Sequence, residues 1–405
     1  MICRICGSEN LTSVLRLPST PPGDHFVSSP DVVQSCYPLQ IMLCKSCGLA
    51  QLDTVVPPAD IYSRYLYTTK SSPGLDAYFA GSAAAIRAAV PLMSDQLVLD
   101  IGSNDGTLLR CLQPYARVVG VDPAEHIASA ADAAGIPTVA AWWTRETAET
   151  IRRTHGPASL ITATNVMANV DDIHPWLEAV TDAIADDGTF VIETGYWPDL
   201  VEKLLLETVE HEHLSYFSVR SLRCLAVRHD LRLVRVEHTE SKGGSIRAYF
   251  QRRSVPHTIW GADDNFLERR EVALNVADFQ RRAEAICTQV HDIARTSVLQ
   301  GRTVMAYGAS IGGTTLLYAC DLNSVVECML DDNPERYGLF TPGAHLPVMS
   351  SAAMAQADDV VVLAWRYFDR IRAAHPEFKG RYIVPLPQVI VHDARTGEVT
   401  VQHAA

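Results

Sequence analysis

Four cysteines are spaced for metal binding. Cys3-Arg-Ile-Cys6 and Cys44-Lys-Ser-Cys47 are two CxxC turns, with residues 7–43 between them. A CxxC turn sets two thiolates on one side of a tight loop, and two such turns complete a tetrahedral sulfur site for Zn2+. Gly7 and Gly48 follow directly, which leaves room for backbone amides to approach the sulfurs. Thiolates at all four positions leave no open coordination site, so the expected metal is structural. The competing assignment is a set of redox-active or unrelated thiols. Cys36 reads as a spare thiol, with replacement of one ligand as the alternative, and the other five cysteines are scattered.

A second group of chemistry-bearing residues lies where apolar runs end in acids. Leu97-Val-Leu runs into Asp100, then Gly102-Ser-Asn104-Asp105-Gly106 turns into a helical segment. Val118-Val-Gly-Val121 ends at Asp122. Strand, Gly-rich turn, helix, strand and acid make a βαβ unit, which binds ribose-bearing cofactors at its strand C-termini. Gly102-x3-Gly106 lacks the third glycine of the dinucleotide fingerprint, so the unit reads as a site for S-adenosylmethionine (SAM). In that reading Gly102 allows close approach of the methionine part, Asp122 holds the ribose hydroxyls, and Asn104, Gly106 and Asn165 belong to the same cofactor site. Asp100 orients the loop or meets the methionine ammonium. Trp143 lines the adenine or is a packing tryptophan, two uses the sequence leaves open. Two further strands place Asn165 and Glu193 at the same edge.

The rest of the chain must position these residues. Its 405 residues call for two or three domains. A composition of 47% hydrophobic and 20% charged residues, with mean hydropathy +0.04, fits a globular enzyme and excludes a disordered or fibrous one. No run approaches the roughly 18 apolar residues that cross a bilayer, and the first residues carry no apolar leader. The expected setting is therefore cytoplasmic. A net charge of −13 (34 basic against 47 acidic) opposes non-specific nucleic-acid binding. Between the cysteine pairs Pro18, Pro21, Pro22, Pro30 and Pro38 leave little core-forming periodicity, so that segment is expected to need its metal to fold. Asn265–Arg295 reads as one long helix. Thr303–Gly308, Glu327–Asn333 and Asp359–Trp365 read as strands of a second Rossmann-like unit, whose Gly308, Gly312 and Gly313 again depart from the dinucleotide pattern. The predicted fold is α/β in three parts: a small zinc-binding N-terminal domain (1–68), a Rossmann-like SAM methyltransferase domain (69–238) and a second Rossmann-like C-terminal domain (239–405). The lack of a coiled coil or an apolar stripe favours a monomer.

Glu210-His211-Glu212-His213-Leu-Ser-Tyr216-Phe-Ser218 makes the reading more specific. With the double CxxC and Leu99-Asp-Ile-Gly-Ser-Asn-Asp-Gly106, it resembles the three-domain, zinc-bearing sugar C-methyltransferases of deoxysugar biosynthesis. Gly243-Gly-Ser-Ile-Arg247, Tyr307-Gly-Ala-Ser310-Ile-Gly-Gly-Thr314, Thr341-Pro-Gly-Ala-His345 and Leu363-Ala-Trp365 continue the match in order over nearly the whole chain. The resemblance implies SAM-dependent methylation, in antibiotic-type deoxysugar pathways, of a carbon beside the ketone (C3) of a thymidine-diphosphate-linked 4-keto-deoxysugar. Such a carbon has an acidic proton, and a base with a near-neutral pKa can take it to leave an enolate. By the resemblance His213 is that base and Glu212 its partner. The C-terminal domain binds the nucleotide-sugar: amides from Ser310 to Thr314 face its pyrophosphate and Asp332 and Asn333 its nucleoside, while His345, Trp365 and Arg366 line the sugar. Tyr216, Tyr307 and Lys242 join that site.

Three positions depart from the family. Glu210 stands where the family has Tyr, Asn169 where it commonly has His, and Lys242 where His is expected. A carboxylate at 210 would repel an enolate. Glu210 is then protonated, or the substrate carries a cationic or donor group there, or the reaction differs within the family. Methyl transfer to oxygen or nitrogen, or binding without catalysis, are the alternatives the sequence leaves standing.

Overall fold

The computed structural model describes residues 1–57, 60–61, 74–256 and 263–401. Strands β1 (Leu11–Thr20), β2 (Tyr37–Cys44) and β3 (Ala50–Leu52) form an antiparallel sheet from the N-terminal segment. The proline-rich stretch therefore contributes more regular structure than its sequence suggests. Leu15, Leu17, Leu39 and Ile41 alternate along β1 and β2, and their buried face packs against the helices Phe279–Leu299 and Ile311–Ala319 of the last unit. The four cysteines occupy the other side, next to the core of the middle unit. Their sulfurs lie within 4.8 Å of one another, with Cys3–Cys47 at 3.5 Å and Cys6–Cys44 at 3.6 Å. Zn–S bonds of about 2.3 Å give tetrahedral edges of about 3.8 Å, so the four thiolates fit Zn2+. Cys36 is exposed and stands outside the cluster.

The middle sheet begins with five parallel strands, β4 (Leu97–Ile101), β5 (Arg117–Asp122), β6 (Thr138–Ala140), β7 (Ala158–Thr164) and β8 (Ile184–Gly195). All five residues of β4 are buried, as expected of a strand covered on both faces by helices. The next strand, β9 (Ser215–Tyr216), leaves this sheet and pairs with β3 of the zinc-binding unit, Ala50 opposite Tyr216 and Gln51 opposite Ser215. The chain then returns as an antiparallel hairpin, β10 (Leu231–Thr239) and β11 (Ser245–Arg252), and the order is β10-β11-β8-β7-β4-β5-β6. The boundary expected at 238/239 falls inside this hairpin. Because β11 pairs with both β10 and β8, the middle sheet continues to Arg252.

The last unit has β12 (Val304–Tyr307), β13 (Met329–Asp331), β14 (Val348–Ser350), β15 (Asp359–Val362) and β16 (Arg381–Val384) in parallel, then antiparallel β17 (Ile390–Asp393) and β18 (Val399–Val401). Its order is β14-β13-β12-β15-β16-β17-β18. In both large sheets the order reverses beside the first strand, between β4 and β7 and between β12 and β15. Ligands of such sheets bind outside the strand C-termini at that point. The single long helix expected over Asn265–Arg295 is two helices, Asp263–Ala273 and Phe279–Leu299. Asn275 donates its side-chain amide to Asp278 at the break, a local bond that competes with helix continuation. Among the described residues no helix is long and apolar enough to cross a membrane.

Purified protein is expected to carry one zinc per chain by elemental analysis. Cys44→Ser should lose most of that metal and lower the melting midpoint by about 5 °C or more.

Candidate active site

Between the helix Trp197–Lys203 and β9 the chain makes a tight loop that carries the Glu-His-Glu-His run. His213 Nδ1 lies 2.8 Å from the Thr208 carbonyl oxygen and donates to it. The lone pair of the neutral ring is then at Nε2, 3.1 Å from Glu210 Oε1. His213 packs edge-on to Tyr216 of β9, ring centroids 6.5 Å apart. His211 turns the other way, Nε2 3.2 Å from the Tyr37 carbonyl, so the two histidines serve different neighbours and do not form a metal pair. Glu212 lines a small cleft with Asp24, His25 and Ile311, where the three units meet.

Burial sets the charge state of this loop. Loss of water pushes His213 down to about 4, and Lys242 adds to the shift against the Thr208 carbonyl and Glu212. It pushes Glu210 up to about 7, with Lys242 and Arg366 opposing and Asp24 and Glu207 adding. Glu212 also rises to about 7, through burial and then the Glu210 charge. Lys242 is exposed to the cleft, and the protein crowded around its ammonium lowers its pKa against the pull of Glu210.

Lys242 sits in the turn Ser241–Gly243 with φ of +51°. Lys203 Nζ donates to the Gly243 carbonyl at 2.7 Å, and Arg366 donates to the Lys242 carbonyl at 3.2 Å. Gly244 is required by close approach: a Cβ there would stand 1.9 Å from Asp199 Oδ2. Asp199 is fully buried, held by His238 and Arg270 at 2.6 Å each. Arg366 also pairs with Glu207 beside the catalytic loop. The indole of Trp365 and the Arg366 guanidinium both favour the ionised Glu207 against its burial. Asn169 ends the turn Met167–Asn169, which packs on β9. The sequence-expected Glu210, Glu212, His213, Tyr216, Lys242, Trp365 and Arg366 thus gather around one cleft, while Asn169 is placed only as far as its turn against β9.

At the middle switch point Asp122 accepts the Asn104 amide on Oδ2 and the Ala124 amide on Oδ1, each at 2.9 Å. Each oxygen keeps a second lone pair, which suits two ribose hydroxyls. Gly102 has φ of +69°, and a Cβ there would stand 2.4 Å from Val166 Cγ2, so only glycine lets the two loops close. Gly106 starts the next helix in the same left-handed region, and Asn165 ends β7 at φ of +56°. These residues fit SAM. Asp100 accepts the Thr162 hydroxyl at 2.6 Å, and burial raises it to about 7, so it serves the sheet interior. Trp143 is buried with its indole N–H on the Trp176 carbonyl at 3.1 Å, a packing tryptophan. The exposed member of the pair is Trp142.

In the last unit the strand-end acid is Asp331, which the sequence reading passed over for Asp332. Asp331 accepts the Ala309 and Asn333 amides, each at 2.8 Å, as Asp122 does in the middle unit, while Asp332 is exposed. Ser310 caps the helix Ile311–Ala319 by accepting from Gly313. Thr314 spends its hydroxyl on the Gly23 carbonyl at 3.0 Å, so it docks the zinc-binding unit. Asn333 caps the turn Pro334–Arg336. His345 lies in a turn bound to the zinc-binding unit through Gly343 and Gln34. Tyr307 is a core residue, edge-on to His375 across the sheet from that helix. Asp24 and Glu207 were missed: Asp24 pairs with Arg336 at 3.2 Å, and only the folded chain brings either acid to Glu210.

Three family models match in order: a zinc binding domain at residues 3–62, a methyltransferase domain at 78–236 and a C-methyltransferase C-terminal domain at 240–387. The chain is 32% identical over 408 aligned positions to the C-methyltransferase NovU of Streptomyces niveus, covering 97% of each protein. It belongs to the zinc-bearing C-methyltransferase family. As a family member it is a SAM-dependent methyltransferase with a zinc-binding cluster of four cysteines. Solved structures also align: a SAM-dependent methyltransferase from Anabaena variabilis (15% identity, 44% of this chain and 86% of that one, TM-score 0.36) and YcgJ from Bacillus subtilis (13%, 42% and 98%, 0.35).

Asp122→Ala removes the anchor of the Asn104 loop and the acceptor expected to meet the ribose. SAM affinity by calorimetry is expected to fall about 10- to 100-fold, with the zinc content unchanged.

Proposed function

We propose that the chain methylates C3, next to the ketone, of a thymidine-diphosphate-linked 4-keto-deoxysugar through an enolate. The observation that carries the reading is the tautomer of His213. Its Nδ1 hydrogen is engaged by Thr208, which leaves Nε2 as the basic nitrogen in a cleft beside Lys242. A base at Nε2 takes the proton on the carbon next to the ketone. The imidazolium formed is favoured by Glu212, and the Lys242 ammonium favours the negative enolate oxygen. SAM, when bound, supplies an electrophilic methyl, and the carbon bonds to it as the methyl–sulfur bond breaks. Support for a nucleotide-linked substrate is the second Rossmann-like unit, whose Arg366 reaches the catalytic loop and whose helix start at Ile311 lines the cleft beside Glu212.

His213→Asn keeps the size and a hydrogen-bonding edge but has no basic nitrogen. With a thymidine-diphosphate 4-keto-6-deoxysugar, turnover is expected to fall about 10²- to 10⁴-fold. Exchange of the proton beside the ketone in deuterated buffer should be lost, with SAM affinity kept. Turnover within tenfold of wild type would remove His213 as the base. Carbon NMR of the product is expected to place the methyl on the ring carbon.

A further inference from the structure

The contact between His213 and Glu210 holds a proton that a free base beside a carboxylate would not. The Thr208 carbonyl, 2.8 Å from Nδ1, only accepts, so Nδ1 carries hydrogen. Nε2 and Glu210 Oε1 then stand 3.1 Å apart, a close approach of two atoms that would each present only a lone pair, and a proton on one of them relieves the repulsion. The groups facing Glu210 are His213, Glu212, Glu207 and Tyr216 from the catalytic loop and β9, Lys242 from the turn before β11, Asp24 from the zinc-binding unit and Arg366 from the last unit. Two cations, one of them exposed, among three further carboxyl groups at buried or partly buried positions do not hold every acid ionised. Burial raises Glu210 to about 7 and lowers His213 to about 4. Between those values the carboxyl is protonated and the ring neutral, so the shared proton sits on Glu210.

We infer that Glu210 works as a neutral carboxylic acid, in contact with His213 Nε2 at rest and donating to the ketone oxygen when substrate is bound. The inference rests on the proposed enolate reaction. As the Glu210 O–H turns to the ketone oxygen, Nε2 is released. The carbon–hydrogen bond breaks, its proton goes to Nε2, and its electron pair becomes the enolate double bond while charge moves to the oxygen. Glu210 keeps its proton and its hydrogen bond strengthens with that charge, as a buried neutral carboxylic acid does in the ketosteroid isomerase oxyanion hole. The enolate carbon then bonds to the methyl of SAM as the methyl–sulfur bond breaks, the ketone re-forms, and the imidazolium returns its proton to solvent. The repulsion expected of a carboxylate at this position therefore does not arise.

The ionised form of Glu210 cannot donate, so turnover is expected to decline above about pH 7. Glu210→Gln retains a donor and has no titration. It should keep turnover on the thymidine-diphosphate 4-keto-6-deoxysugar within about tenfold and lose that alkaline decline. Glu210→Ala should lose about 10²- to 10³-fold, and Glu212→Gln should keep the decline. A Gln variant as slow as the Ala variant overturns the inference, as does a decline that persists in Glu210→Gln and vanishes in Glu212→Gln. Infrared difference spectra of wild type against Glu210→Gln at pH 6, with no substrate, should contain the C=O stretch of a protonated carboxyl. A carboxylate band in its place also overturns it. Wild-type protein that neither exchanges nor methylates the keto-sugar would defeat the proposed reaction instead, and the infrared band still decides the state of Glu210.

Discussion

A pair of backbone rungs between two units holds the loop that carries His213. Ser215 and Tyr216, the residues just after Leu214 and His213, leave the methyltransferase sheet and complete the zinc-binding sheet against Ala50 and Gln51. Leu52 extends the pairing by donating to the Leu214 carbonyl at 3.0 Å, and Arg4, within the first CxxC turn, donates to the carbonyls of both Leu52 and Leu214. The second CxxC turn is pinned from the other side, where Ser218 donates to Gly48 and Arg220 to Ser46. A two-residue strand has little stability of its own. Its geometry is inherited from β3, and β3 from the turn that Cys44 and Cys47 close. The zinc cluster in this way helps to set the backbone of the loop that carries His213, the proposed base.

The second constraint is electrostatic. Glu207, Glu210, Glu212 and Asp24 converge on Lys242 and Arg366 from three units. In such a site charge states are shared, and each acid is tuned by its neighbours as much as by its own burial. Arg366 ties Glu207 and the Lys242 turn together, which links the last unit to the reacting loop. The result is an imidazole that burial pushes down to about 4, below the near-neutral value expected of the proposed base, among acids raised towards neutrality.

Much of this was legible in the sequence, wherever the determining residues are close together along the chain. The CxxC turns, the Gly-rich turn after Leu97–Ile101 and the acid at Asp122 each announce themselves within a few residues, and so the three-part α/β fold could be read. Register was less legible. Asp331 and Asp332 are both acids at a strand end, and Trp142 and Trp143 adjacent aromatics. Both pairs straddle or follow a strand end, where one residue along the chain exchanges a buried for an exposed side chain, and composition cannot choose. The helix break at residues 274–278 turns on one side-chain bond. The pairing of β9 with β3 had no signal, because two residues carry no period. Asp24 and Glu207 were invisible for the same reason: their meaning arises only when three units close on Glu210. Thr314 and His345 carried a motif match, yet the fold uses Thr314 to dock the zinc-binding unit and ties the turn around His345 to it.

The coupling of the zinc cluster to the base is read most directly by hydrogen exchange with and without metal. After chelation, amides at residues 50–52 and 210–217 should exchange much faster, while those of β4 and β5 keep their protection. Equal protection of residues 210–217 in the metal-free and zinc-loaded protein would contradict the account, because the catalytic loop would then hold its place without the cluster.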